Sequence, residues 1–414
     1  MPDQLRNAAL AYHADPKPGK LSVEITKSTH TQYDLSLSYT PGVAEPVKEI
    51  AKHAEAAYLY TGKGNLVAVI SNGTAVLGLG NVGALASKPV MEGKAVLFKR
   101  FADINVFDIE VECTDPTDFV DTVARIAPTF GGINLEDIKA PECFEIESAL
   151  CKRLDIPVFH DDQHGTAIVV AAGLLNALEL QGKRLEDVDI VCAGAGAAGV
   201  ASMQLLLELG ADPQRLLMID RSGVIHADRT DLNSFKQRFA VKTAKRTLAD
   251  AVDGADVFIG VSGPDVLSAE MLKTMALKPV IFALSNPVPE IMPELAHSVR
   301  KDLIMATGRG DFPNQVNNAL CFPYMFRGAL DVRARSINED MKLAAVHAIK
   351  DLVKVPFTAS ERELSNEPEL TFGPTYILPT LMDPRLRTKV SLAVSKAAID
   401  SGVAQLKLSQ ENFS

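Results

Sequence analysis

Val188-Asp-Ile-Val-Cys-Ala-Gly-Ala-Gly-Ala-Ala-Gly199 is the stretch on which the fold turns. Val188 to Ala193 is an apolar, β-branched run that reads as a buried strand, and Val200 to Leu209 reads as a helix stopped near Gly210. Between them Gly194, Ala195, Gly196, Ala197, Ala198 and Gly199 fit Gly-x-Gly-x-x-Gly. The pattern is cheap by itself, and context decides: Asp220 closes the next strand candidate 21 residues beyond Gly199, where a ribose-binding acid belongs in a dinucleotide-binding unit. Each glycine then has a physical task. The first permits the tight turn, the second admits a pyrophosphate to backbone N–H groups at the helix N-terminus, and the third lets helix and strand pack closely. Ile190 to Leu207 also runs 18 residues without a charge, close to the shortest length that spans a bilayer, but its glycines divide it into pieces too short to cross.

Outward from this unit, strand and helix candidates alternate. They are Leu216–Asp220, Leu248–Val252, Val257–Val261, Val280–Ala283 and Ile304–Thr307, followed by helical patterns over Asn338–Val353 and Pro384–Gly402. Alternation of this kind makes a parallel, doubly wound Rossmann-type sheet. Before it, Leu66–Ile70 and Ala95–Phe98 read as strands and Asp118–Ala127 as a helix, which predicts an α/β fold for the first part too. The expected organisation is an N-terminal α/β catalytic domain over 1–158, a dinucleotide-binding domain with C-terminal helices over 159–402, and a frayed tail over 403–414. A second glycine pattern, Gly78-Leu-Gly-Asn-Val-Gly83, meets Pro89 six residues later. Because a helix interior tolerates proline badly, it reads as a loop lining the cleft between the domains.

The 414 residues suffice for two or three domains, and 42 basic against 52 acidic side chains leave a net charge of −10. That balance argues against nucleic acid and anionic membrane as partners. Five cysteines without Cys-x-x-Cys spacing, and an N-terminus without a basic-then-apolar leader, read as reduced thiols of a cytoplasmic protein.

Two acidic clusters carry the chemistry, Asn134-Leu-Glu136-Asp137 and His160-Asp161-Asp162-Gln-His164-Gly165. Carboxylates without thiolates suit a hard divalent cation, Mg²⁺ or Mn²⁺. Zinc on His160 and His164 is disfavoured, since Gly165 argues against a settled helix and no third soft ligand is near. Lys94, ahead of the Ala95–Phe98 strand candidate, is placed for desolvation, which with a nearby cation lowers an ammonium pKa and permits base chemistry. Tyr39 precedes a turn and can aim its hydroxyl into a cleft. Ser285-Asn286-Pro287 and Gln315-Val-Asn317-Asn318 follow strand candidates, where a doubly wound sheet faces its ligand crevice.

Taken together, Tyr39-Thr-Pro-Gly-Val-Ala, Ser71-Asn-Gly-Thr-Ala-Val-Leu-Gly-Leu-Gly, Glu92-Gly-Lys-Ala-Val-Leu-Phe-Lys, Phe130-Gly-Gly-Ile-Asn-Leu-Glu-Asp-Ile, Phe159-His-Asp-Asp-Gln-His-Gly-Thr-Ala and Asn314-Gln-Val-Asn-Asn-Ala-Leu-Cys-Phe-Pro resemble the malic enzyme family. The likeness runs from about residue 5 to residue 402 and is to the short bacterial branch, whose larger members add an acetyl-phosphate-transferring domain. It implies oxidative decarboxylation of malate to pyruvate and CO₂ with reduction of NADP or NAD, and decarboxylation of oxaloacetate. By motif, Glu136, Asp137 and Asp162 would bind the metal, Lys94 would be the general base and Tyr39 the general acid. Asn286 and Asn318 would contact substrate and nicotinamide. Long eukaryotic-type members carry a carboxylate-gripping arginine where this chain has Ala75, so the second malate carboxylate falls to the metal, to Lys99 or to backbone. Asp220 alone favours NAD, but Arg221 beside it, with Ser222 and Arg229, and the habit of the short branch, predict NADP. A homodimer or higher oligomer is expected, with Tyr39 completing a neighbour's site. The alternatives are a malolactic-type enzyme with tightly held NAD and a non-catalytic dinucleotide-binding regulator.

Overall fold

A computed structural model describes residues 3–76, 78–365 and 370–407. The expected tail therefore lies mostly outside the described residues, from 408 on. Among the described residues ten short strands form two sheets: β1 (Leu66–Ser71), β2 (Asn105–Glu110), β3 (Gly132–Leu135) and β4 (Val158–His160) in one, and β5 (Ile190–Ala193), β6 (Leu216–Asp220), β7 (Gly223–Val224), β8 (Val257–Gly260), β9 (Val280–Ala283) and β10 (Ile304–Thr307) in the other. β1, β3, β5, β8 and β9 are near-continuous apolar runs because helices cover both faces of a parallel sheet.

The second sheet has the order β10-β9-β8-β5-β6-β7. Its one departure from the expected parallel pattern is β7, which turns back antiparallel on β6. From β5 the chain moves outward to β6 and β7, then crosses to β8 on the other side of β5. Such a reversal opens a crevice beyond the strands' C-terminal ends, the usual ligand position in open α/β sheets. The first sheet, β2-β1-β3-β4, is parallel throughout. β4 spans the expected division at 158/159.

Ala95–Phe98 is not a strand. It lies inside a helix, Ala84–Ala102, whose buried residues Met91, Lys94, Ala95, Phe98 and Ala102 recur at helical spacing. Four apolar residues in a row look alike in either period; the spacing over the longer window decides. The helix also accommodates Pro89. The lost N–H would have served Leu85, in the exposed first turn, and the Pro89 carbonyl accepts a 2.6 Å hydrogen bond from Lys20.

A helix buried on every face, Thr166–Gln181, follows β4 directly through one π-turn, Asp161–Gly165. Gly165 thus sits in a helical turn, contrary to expectation, with an ordinary φ of −62°. Its reason is space: a Cβ there would fall 1.8 Å from Asp161 Oδ1. One apolar cluster joins this helix to both sheets and to the helices Phe322–Asp331, Glu339–Leu352 and Arg385–Asp400. Among the described residues no helix is long and apolar enough to cross a membrane.

Candidate active site

Parallel pairing of β3 with β4 sets Leu135 opposite His160, so the residues that follow each strand emerge on the same edge. Glu136 and Asp137 leave β3, and Asp161 and Asp162 leave β4. One carboxylate oxygen each of Glu136, Asp137 and Asp162 lies within 4.8 Å of the others. Asp137 adopts a left-handed φ of 53°, its N–H donates to Asp162 Oδ2 at 2.7 Å, and its carbonyl accepts from Ala75 N at 2.9 Å. That φ costs a non-glycine residue of order 1 kcal/mol, a local strain of the sort concentrated at functional sites.

Lys94 enters from the buried stripe of its helix. Its Nζ hydrogen-bonds Asp161, lies 3.0 Å from Glu136 Oε1, and stands 4.6 Å from the centre of the Phe322 ring. Four carboxylates here face one ammonium. Burial raises the Asp137 carboxyl to about 8, Asp162 adding repulsion, and burial likewise raises Asp161 to about 6. Burial opposes the charge on Lys94 as well, but Asp161, Glu136 and Asp162 outweigh it and hold the ammonium protonated above its ordinary range. This is opposite to the lowered pKa expected from desolvation alone. The buried Asp137 Oδ2 and Asp161 Oδ1 have no hydrogen-bond partner. Hard oxygen donors, an unpartnered oxygen and a deficit of positive charge fit a divalent cation. The three-carboxylate group is the one metal-competent cluster among the described residues, and neither His160 nor His164 belongs to it.

The Gly194–Gly199 turn lies at the reversal point of the second sheet. Gly194 has φ 120°, and a Cβ on it would fall 2.5 Å from Val261 O beyond β8; one on Gly199 would fall 1.9 Å from Gly194 O. Ala197, Ala198 and Gly199 open a helix whose N-cap, Gly196, offers no capping side chain. Its first N–H groups are thereby left for an anion. A cavity of about 760 Å³ opens over this turn, bounded by Ala195, Asp220, Arg221, Ser222, Lys236 and Ser262 among others. Asp220 is not free to bind a ribose unopposed. It accepts two hydrogen bonds from Arg229, at 2.8 and 3.1 Å, one from Lys236 at 2.7 Å and one from Ser222 N at 2.9 Å. Burial acts to raise its pKa, but these donors prevail and hold it down to about 2. Arg221 is exposed at the rim and forms no ion pair among the described residues.

Asn286 and Asn318 flank the crevice. Gly308 makes room for the first, since a Cβ there would fall 2.5 Å from Asn286 Nδ2, and Asn318 abuts Gly165 in the turn carrying Asp161 and Asp162. Gly78 of the second glycine pattern lies against Asn286 and Pro287, so that loop does line the cleft between the two sheets' segments. Tyr39 is elsewhere. It is 75% exposed at the end of the helix Gln32–Ser38, which buries no residue. Lys99 is also out of the site, on the surface with Asp103 and Asn105. Sequence reasoning missed Asp161 as the partner of Lys94, and Lys236, which lies 16 residues beyond Asp220 with no local motif.

These features define a class of protein: a two-sheet, dinucleotide-type α/β chain with three clustered carboxylates that could hold a cation and a glycine turn opening a helix. Residues 163–364 match the family model described as malic enzyme, NAD binding domain, and 18–117 with 113–151 match malic enzyme, N-terminal domain. The chain is 64% identical to the NADP-dependent malic enzyme of Halomonas elongata over 98% of this chain and 96% of that one. It is 57% identical to the NADP-dependent malic enzyme of Salmonella typhimurium over 98% of its own length and 54% of the other's. The crystal structure of malic enzyme from Pyrococcus horikoshii superposes with a TM-score of 0.89 at 43% identity, covering 98% of this chain and 93% of that one. The chain belongs to the malic enzyme family.

Proposed function

We propose that this chain catalyses oxidative decarboxylation of (S)-malate to pyruvate and CO₂ with reduction of NADP, and decarboxylates oxaloacetate in the same site. The observation that carries this reading is the Lys94 ammonium set within four carboxylates, on the edge of a crevice whose other wall is the glycine turn. Glu136, Asp137 and Asp162 would hold Mg²⁺ or Mn²⁺, which supplies a Lewis acid at the C2 oxygen of malate. With those three carboxylates charge-compensated, the ammonium would lose what Glu136 and Asp162 add to its pKa, while Asp161 continues to raise it. Lys94 Nζ, as the neutral amine, would take the proton of the C2 hydroxyl; NADP, held beside Asn286 and Asn318, would supply the hydride acceptor for C2. After CO₂ departs, Tyr39 delivers a proton to C3, relayed through Lys94.

The Tyr39 that does so comes, in this reading, from a second copy of the chain. Leu35, Leu37, Tyr39, Val43 and Val47 are exposed, and neither Gln32–Ser38 nor Ala44–Lys52 buries a residue. Apolar surface of this extent marks an interface, and we assign it to a homodimer or a higher homo-oligomer. NADP preference is supported by three cations, Arg221, Arg229 and Lys236, around two carboxylates, Asp220 and Asp231, at the cavity's adenosine end. That balance favours a 2′-phosphate.

Steady-state assay of malate with NADP and with NAD, with and without Mn²⁺, tests the function. NADPH and pyruvate should form only with the metal; lactate as product, or no turnover with either cofactor, overturns the reading.

A further inference from the structure

The cation reading leaves one part of the turn unexplained: the histidines on either side of Asp161 and Asp162. Glu147 lies in the helix Glu142–Arg153, which starts five residues beyond Asp137, and it reaches across to β4 and the π-turn. One carboxylate oxygen accepts the His160 N–H at 2.9 Å; the other accepts from His164 Nε2, also at 2.9 Å. The Glu147 side chain is 12% exposed and that of His164 20%. Burial acts to raise the Glu147 carboxyl, but His164 overrides it and holds the group down to about 2.

The cation ligands come from two separate segments, 136–137 and 161–162, and both carry negative charge. Coulombic repulsion drives these segments apart. Besides the β3–β4 pairing and Lys94, which touches both Glu136 and Asp161, two ties oppose it: the Asp137 N–H on Asp162, at 2.7 Å, and the Glu147 carboxylate bridging both ends of the turn. The first uses a ligand oxygen itself. The second uses none, and it stems from the segment that bears Glu136 and Asp137.

We propose that Glu147 and His164 are positioning residues that hold the Asp161–Asp162 turn in register with Glu136 and Asp137, so that the site is shaped for a divalent cation before one binds. This rests on the cation reading above. Residues one step removed from ligands typically change metal affinity about 10- to 100-fold when altered.

The test uses the purified full chain, Mn²⁺ binding by electron paramagnetic resonance of the free ion, and NADPH binding by fluorescence. Glu147→Ala should weaken Mn²⁺ binding about tenfold or more and leave NADPH affinity within about twofold, with kcat recovering at saturating Mn²⁺. Glu147→Gln should restore most of the affinity, since its amide oxygen still accepts from His160 N. A folded Glu147→Ala with wild-type Mn²⁺ affinity overturns the proposal, and so does a parallel loss of Mn²⁺ and NADPH binding, the mark of a general structural role. Should that variant fail to fold, His164→Ala removes one of the two bonds and decides: weakened Mn²⁺ binding supports the clamp, and unchanged binding overturns it. Asp137→Asn separates the two readings, because wild-type Mn²⁺ affinity there overturns the cation site itself.

Discussion

At Lys94 a buried cation is surrounded by acids whose own carboxyls are pushed up by burial, so full ionisation of the four carboxylates calls for further positive charge. The residue is costly to the fold and therefore placed for chemistry. Lys94→Ala should lower kcat for malate oxidation about 10²- to 10⁴-fold, the usual worth of an acid–base group, while NADPH affinity stays near wild type. A variant keeping more than about a tenth of wild-type kcat is not missing its base. Asp137→Asn and Asp162→Asn should abolish malate oxidation and oxaloacetate decarboxylation together, because both steps draw on the same C2 oxygen; normal decarboxylation by either variant, with Mn²⁺ present, would contradict a shared cation. The acids themselves were legible because each pair follows an apolar strand. The partner of Lys94 was not, since Asp161 and Asp162 are adjacent in sequence and only the π-turn sends one to the lysine and the other to Asp137.

Among elements, the β6–β7 hairpin is the one to which the proposed NADP preference is assigned. The second sheet's parallel strands and the glycine turn were readable to within two or three residues, because continuous apolar runs and glycine turns are local signals. The short antiparallel β7 and Lys236 were not, since the link from Lys236 to Asp220 is made in space rather than by spacing. Arg221 is at the rim, whereas Arg229 and Lys236 already neutralise Asp220. Arg221→Ala should therefore raise KM for NADP far more than for NAD, and Lys236→Ala should do the same while removing one of the four hydrogen bonds on Asp220. Measured kcat/KM for both cofactors checks this; a wild type favouring NAD by about tenfold or more removes the basis for it. Asp220 also carries a pH signature. Its folded pKa of about 2 lies below the ordinary 3.8, so its ion pairs stabilise the fold above the ordinary value, and that contribution is lost as pH falls from there toward the folded one. In urea denaturation, Asp220→Asn should be less stable than wild type at neutral pH, the gap narrowing as pH drops through this window. A gap that does not change with pH would show that the pairs do not stabilise the fold.

At the scale of the whole molecule, the parallel sheet of the second part and the C-terminal helices were within reach of pattern reading, because the apolar runs that build them are local and continuous; of the first sheet only β1 was, and Ala95–Phe98 is helical. The N-terminal arm was not. Its helices expose Leu35, Leu37, Tyr39, Val43 and Val47, and a single chain offers nothing to say where such a face goes. If Tyr39 serves the neighbour's Lys94, inactive variants can complement one another. In a dimer of one Tyr39→Phe chain and one Lys94→Ala chain, one site receives both intact residues and the other receives neither. Half of the sites in each mixed dimer then work, which for random exchange of subunits is about a quarter of all sites. If Tyr39 serves its own chain, both sites in the mixed dimer are broken and no activity returns. The experiment needs subunit exchange by mild denaturation and refolding, sedimentation to verify at least a dimer, and the malate assay on the mixture. Recovery approaching that fraction places the tyrosine across the interface; verified mixed dimers without activity place it in its own subunit.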